Sequence, residues 1–219
     1  MSEPIETQIE VKNIVGALVN NLFKVFEGDR FRVMMGQMLQ SEYDKGLDAI
    51  GRKLGQNFTR NSRELTFLSE YANGNISEHL DTVNRQLRGE IRRAIMDKKT
   101  VNQIKKDIKQ ILGEKRYMQR LKTVIRTEAE RAGNYGRLQG ALQSGIVRKK
   151  YLRVIMDDVT SNICKEENRK YGSERNAITL NAVFVVRADN KTKSAQAPPF
   201  HPNCRTLIAF EEVENASAS

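Results

Sequence analysis

The chain has 219 residues, enough to bury a core without staples, and its 39% hydrophobic and 29% charged content is that of a helix-rich protein that folds in water. No stretch approaches the roughly 18 to 20 apolar residues that would span a bilayer, and the acidic MSEPIETQIE start is unlike a secretory leader. Two cysteines, Cys164 and Cys204, are too few for a disulfide framework and point to a reducing compartment.

Apolar residues recur with helical spacing from Ile5 to Phe26, and Gly28–Asp29 reads as a stop followed by a cap. A second helix is predicted over 30–54, so that residues 1–74 form a helical hairpin suited to docking on a partner. The Met34, Met35 and Met38 cluster fits adaptable core or interface. A short helix over 64–71 is followed by a turn at Asn73–Asn75 and a helix over 77–96. Thr100 and Gln103 form a capping box that opens a helix ending at Gly113. A long helix over 114–144 places Glu128 on the face of Leu121, Ile125, Ala132 and Tyr135.

Beyond Gly145 the pattern changes. Residues 147–156, 182–187 and 206–213 read as strands, with a short helix over 161–171 between the first two. Residues 188–204 read as a loop holding three of the four prolines, and 214–219 as a frayed tail. The fold class is therefore α+β: a mainly helical N-terminal two-thirds, then a small antiparallel sheet with a short helix. Residues 75–213 form one domain.

Charge is concentrated. Residues 75–153 hold 20 basic and 8 acidic side chains, a net of +12, whereas the flanking segments are close to neutral. Helical spacing sets Arg85, Arg88, Arg92, Arg93, Lys105, Lys106 and Lys109 opposite apolar stripes, as a rigid basic face. Phosphate neutralisation on double-stranded DNA is the favoured use of such a face, ahead of an acidic protein surface or solubility alone.

Three islands stand together: RTEAERAGNYGR at 126–137, DDVTSNIC at 157–164 and PPFHPNCR at 198–205. Their order and spacing resembles the Mu F-like head-morphogenesis family of tailed phages, over about residues 115–213. The matching positions are Arg126, Glu128, Asn134 and Gly136 on the helix. Asp157 or Asp158, Thr160 and Cys164 match at the strand end. Pro198, Pro199, His201, Pro202, Cys204 and Arg205 match in the loop. The resemblance implies a minor head protein in the virion head, and in the host cytoplasm during assembly. It implies a multi-copy or oligomeric assembly with portal and procapsid proteins, contact with DNA during packaging or delivery, and no membrane. It implies no enzymatic activity. The rival readings are an effector such as a metal-dependent nuclease, and a generic basic nucleic-acid-binding protein.

The prolines force an extended loop that can hold His201 and Cys204 towards Cys164. Where many relatives carry a further cysteine this chain has Ser161. Two buried thiols beside a hydrogen-bonded histidine, with no cofactor, is therefore the preferred state. The others are a zinc site of Cys164, His201 and Cys204 with Asp157 or Asp158, a Cys164–Cys204 disulfide, and a Cys–His nucleophile. Glu128, on a buried face, needs a cationic or backbone partner, with Arg205 first and Arg126 second. The set is read as a structural clasp.

Overall fold

The computed structural model describes residues 29–97, 99–100, 103, 106–107, 114–188 and 190–211. Three long helices come first, α1 (Asp29–Leu54), α2 (Ser62–Met96) and α3 (Glu114–Ser144). Then follow β1 (Lys149–Arg153), α4 (Asn162–Tyr171), a 3-10 turn (Glu174–Asn176), β2 (Ile178–Thr179), β3 (Phe184–Ala188), β4 (Lys191–Ala195) and β5 (Leu207–Phe210). The class is α+β, as the sequence implies. Among the described residues, no helix is long and apolar enough to cross a membrane. The expected helix over 5–26, most of that over 100–112 and the tail lie outside the described residues.

The chain divides into two compact units, residues 1–35 with 71–122, and residues 36–70 with 123–219. In the first, Met35, Ala72, Ile76, Leu80, Ala94 and Leu121 are buried, while Met34 is 62% exposed, so the methionine cluster is split between core and surface. The capping box forms as its sequence requires: Thr100 N–H donates to Gln103 Oε1 at 2.8 Å, and Gln103 N–H returns to Thr100 Oγ1 at 3.4 Å. Helix α2 runs unbroken through Asn73–Asn75, where a turn was expected, so the predicted boundary at residue 74 falls inside a helix. Leu68, Ala72, Ile76 and Leu80 are all buried at four-residue steps across this stretch. That continuous apolar stripe outweighs the roughly 1 kcal/mol that one mid-helix glycine costs.

The second unit carries the sheet and the chemistry of the three islands. A three-stranded antiparallel sheet has the order β2-β1-β5, with Lys150 opposite Phe210 and Leu152 opposite Ile208. A separate β3–β4 hairpin pairs Phe184 with Ala195 and Val186 with Lys193, turning at Asn190 in the left-handed region (φ 59°). The strand β4 lies where the sequence suggested loop. Its side chains Thr192, Lys193 and Ser194 are exposed, so no apolar alternation marks it. The core gathers Leu138, Ala141, Val147, Leu152, Phe184, Val186, Phe200, Ile208 and Phe210 between α3, the sheet and the hairpin.

Helices α1 and α3 meet at glycines in this unit. A Cβ on Gly136 would collide with the Tyr43 backbone carbonyl, and one on Gly46 with the Gly133 carbonyl. Tyr43 is fully buried there, its hydroxyl donating to Glu64 Oε2 at 2.7 Å.

Lys150 is an anomaly of the core. It is 0% exposed, its Nζ donates to the Gln196 carbonyl at 2.8 Å and lies 5.2 Å from the centre of the Phe184 ring. Burial pulls its ammonium down to about 8. The folded chain therefore gives up this proton before the unfolded chain, whose lysine titrates at 10.5. Stability contributed by this residue rises with pH between about 8 and 10.5, and below 8 the full cost of the buried charge is present. Lys150→Met should stabilise the fold by about 1–3 kcal/mol at pH 7, the lost hydrogen bond offsetting part of the gain. Urea unfolding at pH 7 and pH 9.5 measures it, and a variant keeping the wild-type pH dependence would assign that dependence elsewhere.

Candidate functional site

The three islands converge where α3, the turn after β1, the start of α4 and the loop before β5 come together. Asn134 on α3 is buried and holds β5 by its backbone. Its amide donates to the Thr206 carbonyl at 3.1 Å, and its Oδ1 accepts from Ile208 N–H at 2.8 Å. One asparagine thus satisfies both a donor and an acceptor of an incoming strand, which no carboxylate or aliphatic side chain can do. Thr127, about two turns earlier, accepts from Asn203 N–H at 3.1 Å and steadies the His–Cys loop.

Glu128 is buried, as its helix face required, and it pairs with Arg131 on the same helix, at 2.9 Å. Neither Arg205 nor Arg126 takes that role. Arg205 instead forms a two-pronged ion pair with Asp157, both bonds at 2.7 Å, and that guanidinium holds the Asp157 carboxyl down at about 2. Thr160 ties the same turn, accepting from Asp157 N–H at 2.7 Å. Asp158 is exposed. Asp157 is thus occupied with the turn and Arg205, and neither aspartate belongs to the group around the cysteines.

Pro198 and Pro199, joined by a cis bond, are buried with Phe200, while Pro202 is exposed. The loop they stiffen delivers His201 and Cys204 to α4. Ser161 caps that helix, its hydroxyl accepting from Cys164 N–H at 3.1 Å and lying 3.0 Å from His201 Nε2. Cys164 Sγ lies 2.8 Å from the same nitrogen, and His201 Nδ1 lies 2.8 Å from the Pro202 carbonyl. Both cysteines are buried and are free thiols in this structure.

A residue the sequence reading passed over completes the group. Glu167, one turn beyond Cys164 on α4, is fully buried and accepts from the Thr206 hydroxyl at 2.6 Å. Ligand atoms of Cys164, Glu167, His201 and Cys204 all lie within 4.8 Å of one another. The i, i+3 spacing of Cys164 and Glu167 was the available signal. It was masked by the polar run KEENRK, in which one glutamate looks like another.

The electrostatics follow from this crowding. The Cys204 thiol hydrogen bond, with help from Ser161 and Thr206, holds Cys164 down at about 6. Cys204, whose proton serves that bond, is pushed up to about 11. Burial pushes Glu167 up to about 8, and the neighbouring Cys204 adds to it. His201 is raised, chiefly by its hydrogen bond with Cys204. A cavity of about 640 Å³ opens over the group, lined by Arg126, Glu130, Ser161, Cys164, His201 and Arg205 among others.

The predicted basic face is described in part. Arg85, Arg93 and Lys106 are exposed, with Arg93 paired to Glu90 at 2.7 Å. The side chains of Arg88 and Arg92 on α2, and Lys105 and Lys109, lie outside the described residues.

No curated protein and no solved structure gives a significant match to the chain. The sequence model of one family, described as Phage Mu protein F like protein, matches residues 85–209. That span is more than half of the chain and contains all three islands, with the Asn134 clamp, the Asp157–Arg205 pair and the His–Cys loop. The chain belongs to the phage Mu F-like family, a family of phage head morphogenesis.

Proposed function

We propose that this protein is a minor component of a tailed-phage head that joins the portal and procapsid during assembly and touches the packaged double-stranded DNA through its basic helices. The observation that carries this reading is the overlap of the family match at 85–209 with the +12 segment at 75–153. A family of head proteins and a concentrated positive charge in one span favour a partner bearing phosphates. Docking falls to the start of α1, a role supported by its exposed apolar Val33 (57%) and Met34. The role is structural, without catalysis and in several copies per particle.

The test is fluorescence anisotropy with two duplex DNAs of unrelated sequence, at about 50 and 200 mM salt. Both duplexes should bind equally, with affinity falling steeply as salt rises. Reversing Arg85, Arg88, Arg92, Lys105 and Lys109 to glutamate should weaken binding at least about 10-fold. It should also lower the salt slope by about one for each phosphate no longer neutralised. Unchanged affinity in that variant would remove DNA from the function and leave an acidic capsid surface as the partner. Cleavage of DNA or RNA by the wild-type chain in the presence of a divalent metal would replace the structural role with an enzymatic one.

A further inference from the structure

The group beneath the cavity is built from side chains that an apolar interior excludes unless something binds them. Cys164 and Glu167 share a face of α4, His201 and Cys204 sit three residues apart on the stiffened loop, and the two pairs face each other. Zinc holds sulfur at about 2.3 Å and nitrogen or oxygen at about 2.0–2.2 Å, so atoms around a tetrahedral ion lie about 3.3–3.8 Å apart. Four atoms mutually within 4.8 Å come near that scale: the 2.8 Å Cys164–His201 approach would open and the longest separations would close by about 1 Å.

Two further observations point to a cation. Glu167 Oε1 is buried without a hydrogen-bond partner, although Oε2 accepts from Thr206. A wholly buried carboxylate oxygen left unmatched is costly, and a metal ion is the partner this location offers. His201 Nδ1 is engaged by the Pro202 carbonyl, which places the ring proton there and leaves the Nε2 lone pair facing the cluster. Metal-binding histidines are oriented in this way by an outer carbonyl.

We propose that Cys164, Glu167, His201 and Cys204 form a four-ligand structural zinc site that locks α4 to the loop before β5. Two sulfurs, one imidazole nitrogen and one carboxylate oxygen select zinc over magnesium or calcium, which prefer oxygen throughout. With all four positions supplied by the protein, the site is closed and its role is cohesion. Glu167 thereby stands where Asp157 or Asp158 was expected, and Ser161, at the position of the missing cysteine, caps the helix instead.

The full chain, purified without chelator from zinc-supplemented cells, should carry about one zinc by elemental analysis. Chelation should lower its melting temperature and zinc should restore it. Cobalt added to the stripped protein should give thiolate charge-transfer absorption and the visible bands of a tetrahedral site. Thr206→Val keeps every ligand and removes the outer hydroxyl that contacts Glu167 and Cys164; it should weaken zinc binding about 10- to 100-fold. A chain that takes up no zinc on titration, melts unchanged in chelator, and shows the same thiol reactivity with and without zinc would overturn the site. So would zinc retained undiminished in the Cys164→Ala, Cys204→Ala double variant, or a Cys164–Cys204 disulfide in the protein isolated without reductant.

Discussion

Gly136→Ala should be among the most damaging single-methyl additions in this protein, lowering stability by about 3 kcal/mol. The added Cβ would overlap the Tyr43 backbone carbonyl and its neighbouring backbone atoms, so relief requires α1 and α3 to separate. A flexible side chain could move aside; main chain in a helix cannot do so cheaply. Two controls isolate the effect. A Cβ on Gly133, one turn earlier on α3, would lie 3.5 Å from the Glu42 carbonyl, an ordinary contact, so Gly133→Ala should be near neutral. Gly36→Ala, where nothing lies within 4 Å, should stabilise α1 by about 0.5–1 kcal/mol. Denaturant midpoints in that order would establish close helix approach as the reason for glycine at 136. Equal effects at 133 and 136 would refute it.

Asn134→Ala should cost about 3 kcal/mol, because it strands two buried backbone groups at once, the Thr206 carbonyl and the Ile208 N–H. For a chain of this size that is a drop of about 6–12 °C in melting temperature. Asn134→Asp separates the two bonds, since it still accepts from Ile208 but turns a second acceptor towards the Thr206 carbonyl. It should recover only part of the loss at neutral pH. A melting temperature within about 2 °C of wild type for Asn134→Ala would mean that β5 is held by β1 pairing alone.

What could be read in advance follows from range. The boundaries of α1, α3 and α4 are set by periodicity, glycine stops and caps, all within a few residues, and the sequence displays them. The capping box at Thr100 is of the same kind. The turn expected at Asn73–Asn75 failed because its local signal was weaker than the apolar stripe on either side. Strand β4 was hidden because a hairpin strand with exposed Thr192, Lys193 and Ser194 has no buried face to announce it. The site divides in the same way. His201, Cys204 and Cys164 were recognisable as a set, but their geometry depends on elements far apart in the chain. Glu128 had a suitable partner three residues away in Arg131, which left Arg205 to the turn aspartate. Glu167 could be told from Glu166 only by knowing which face of α4 meets the loop.

The central place of β1, between β2 and β5, has a consequence for synthesis. Its pairing with β5 joins residues 150 and 210, and the Asn134 bonds to the same strand span 72 and 74 residues. Contacts of that reach form late, because a long loop must close before they give any return. On the ribosome, the three helices can form while the sheet still lacks its outer strand. A chain stopped before residue 207 would lose the sheet edge, the asparagine clamp and the foundation of the His–Cys loop in a single step. Completeness of the polypeptide is therefore checked by the fold itself: a truncated product has nothing to close on and remains open to proteolysis.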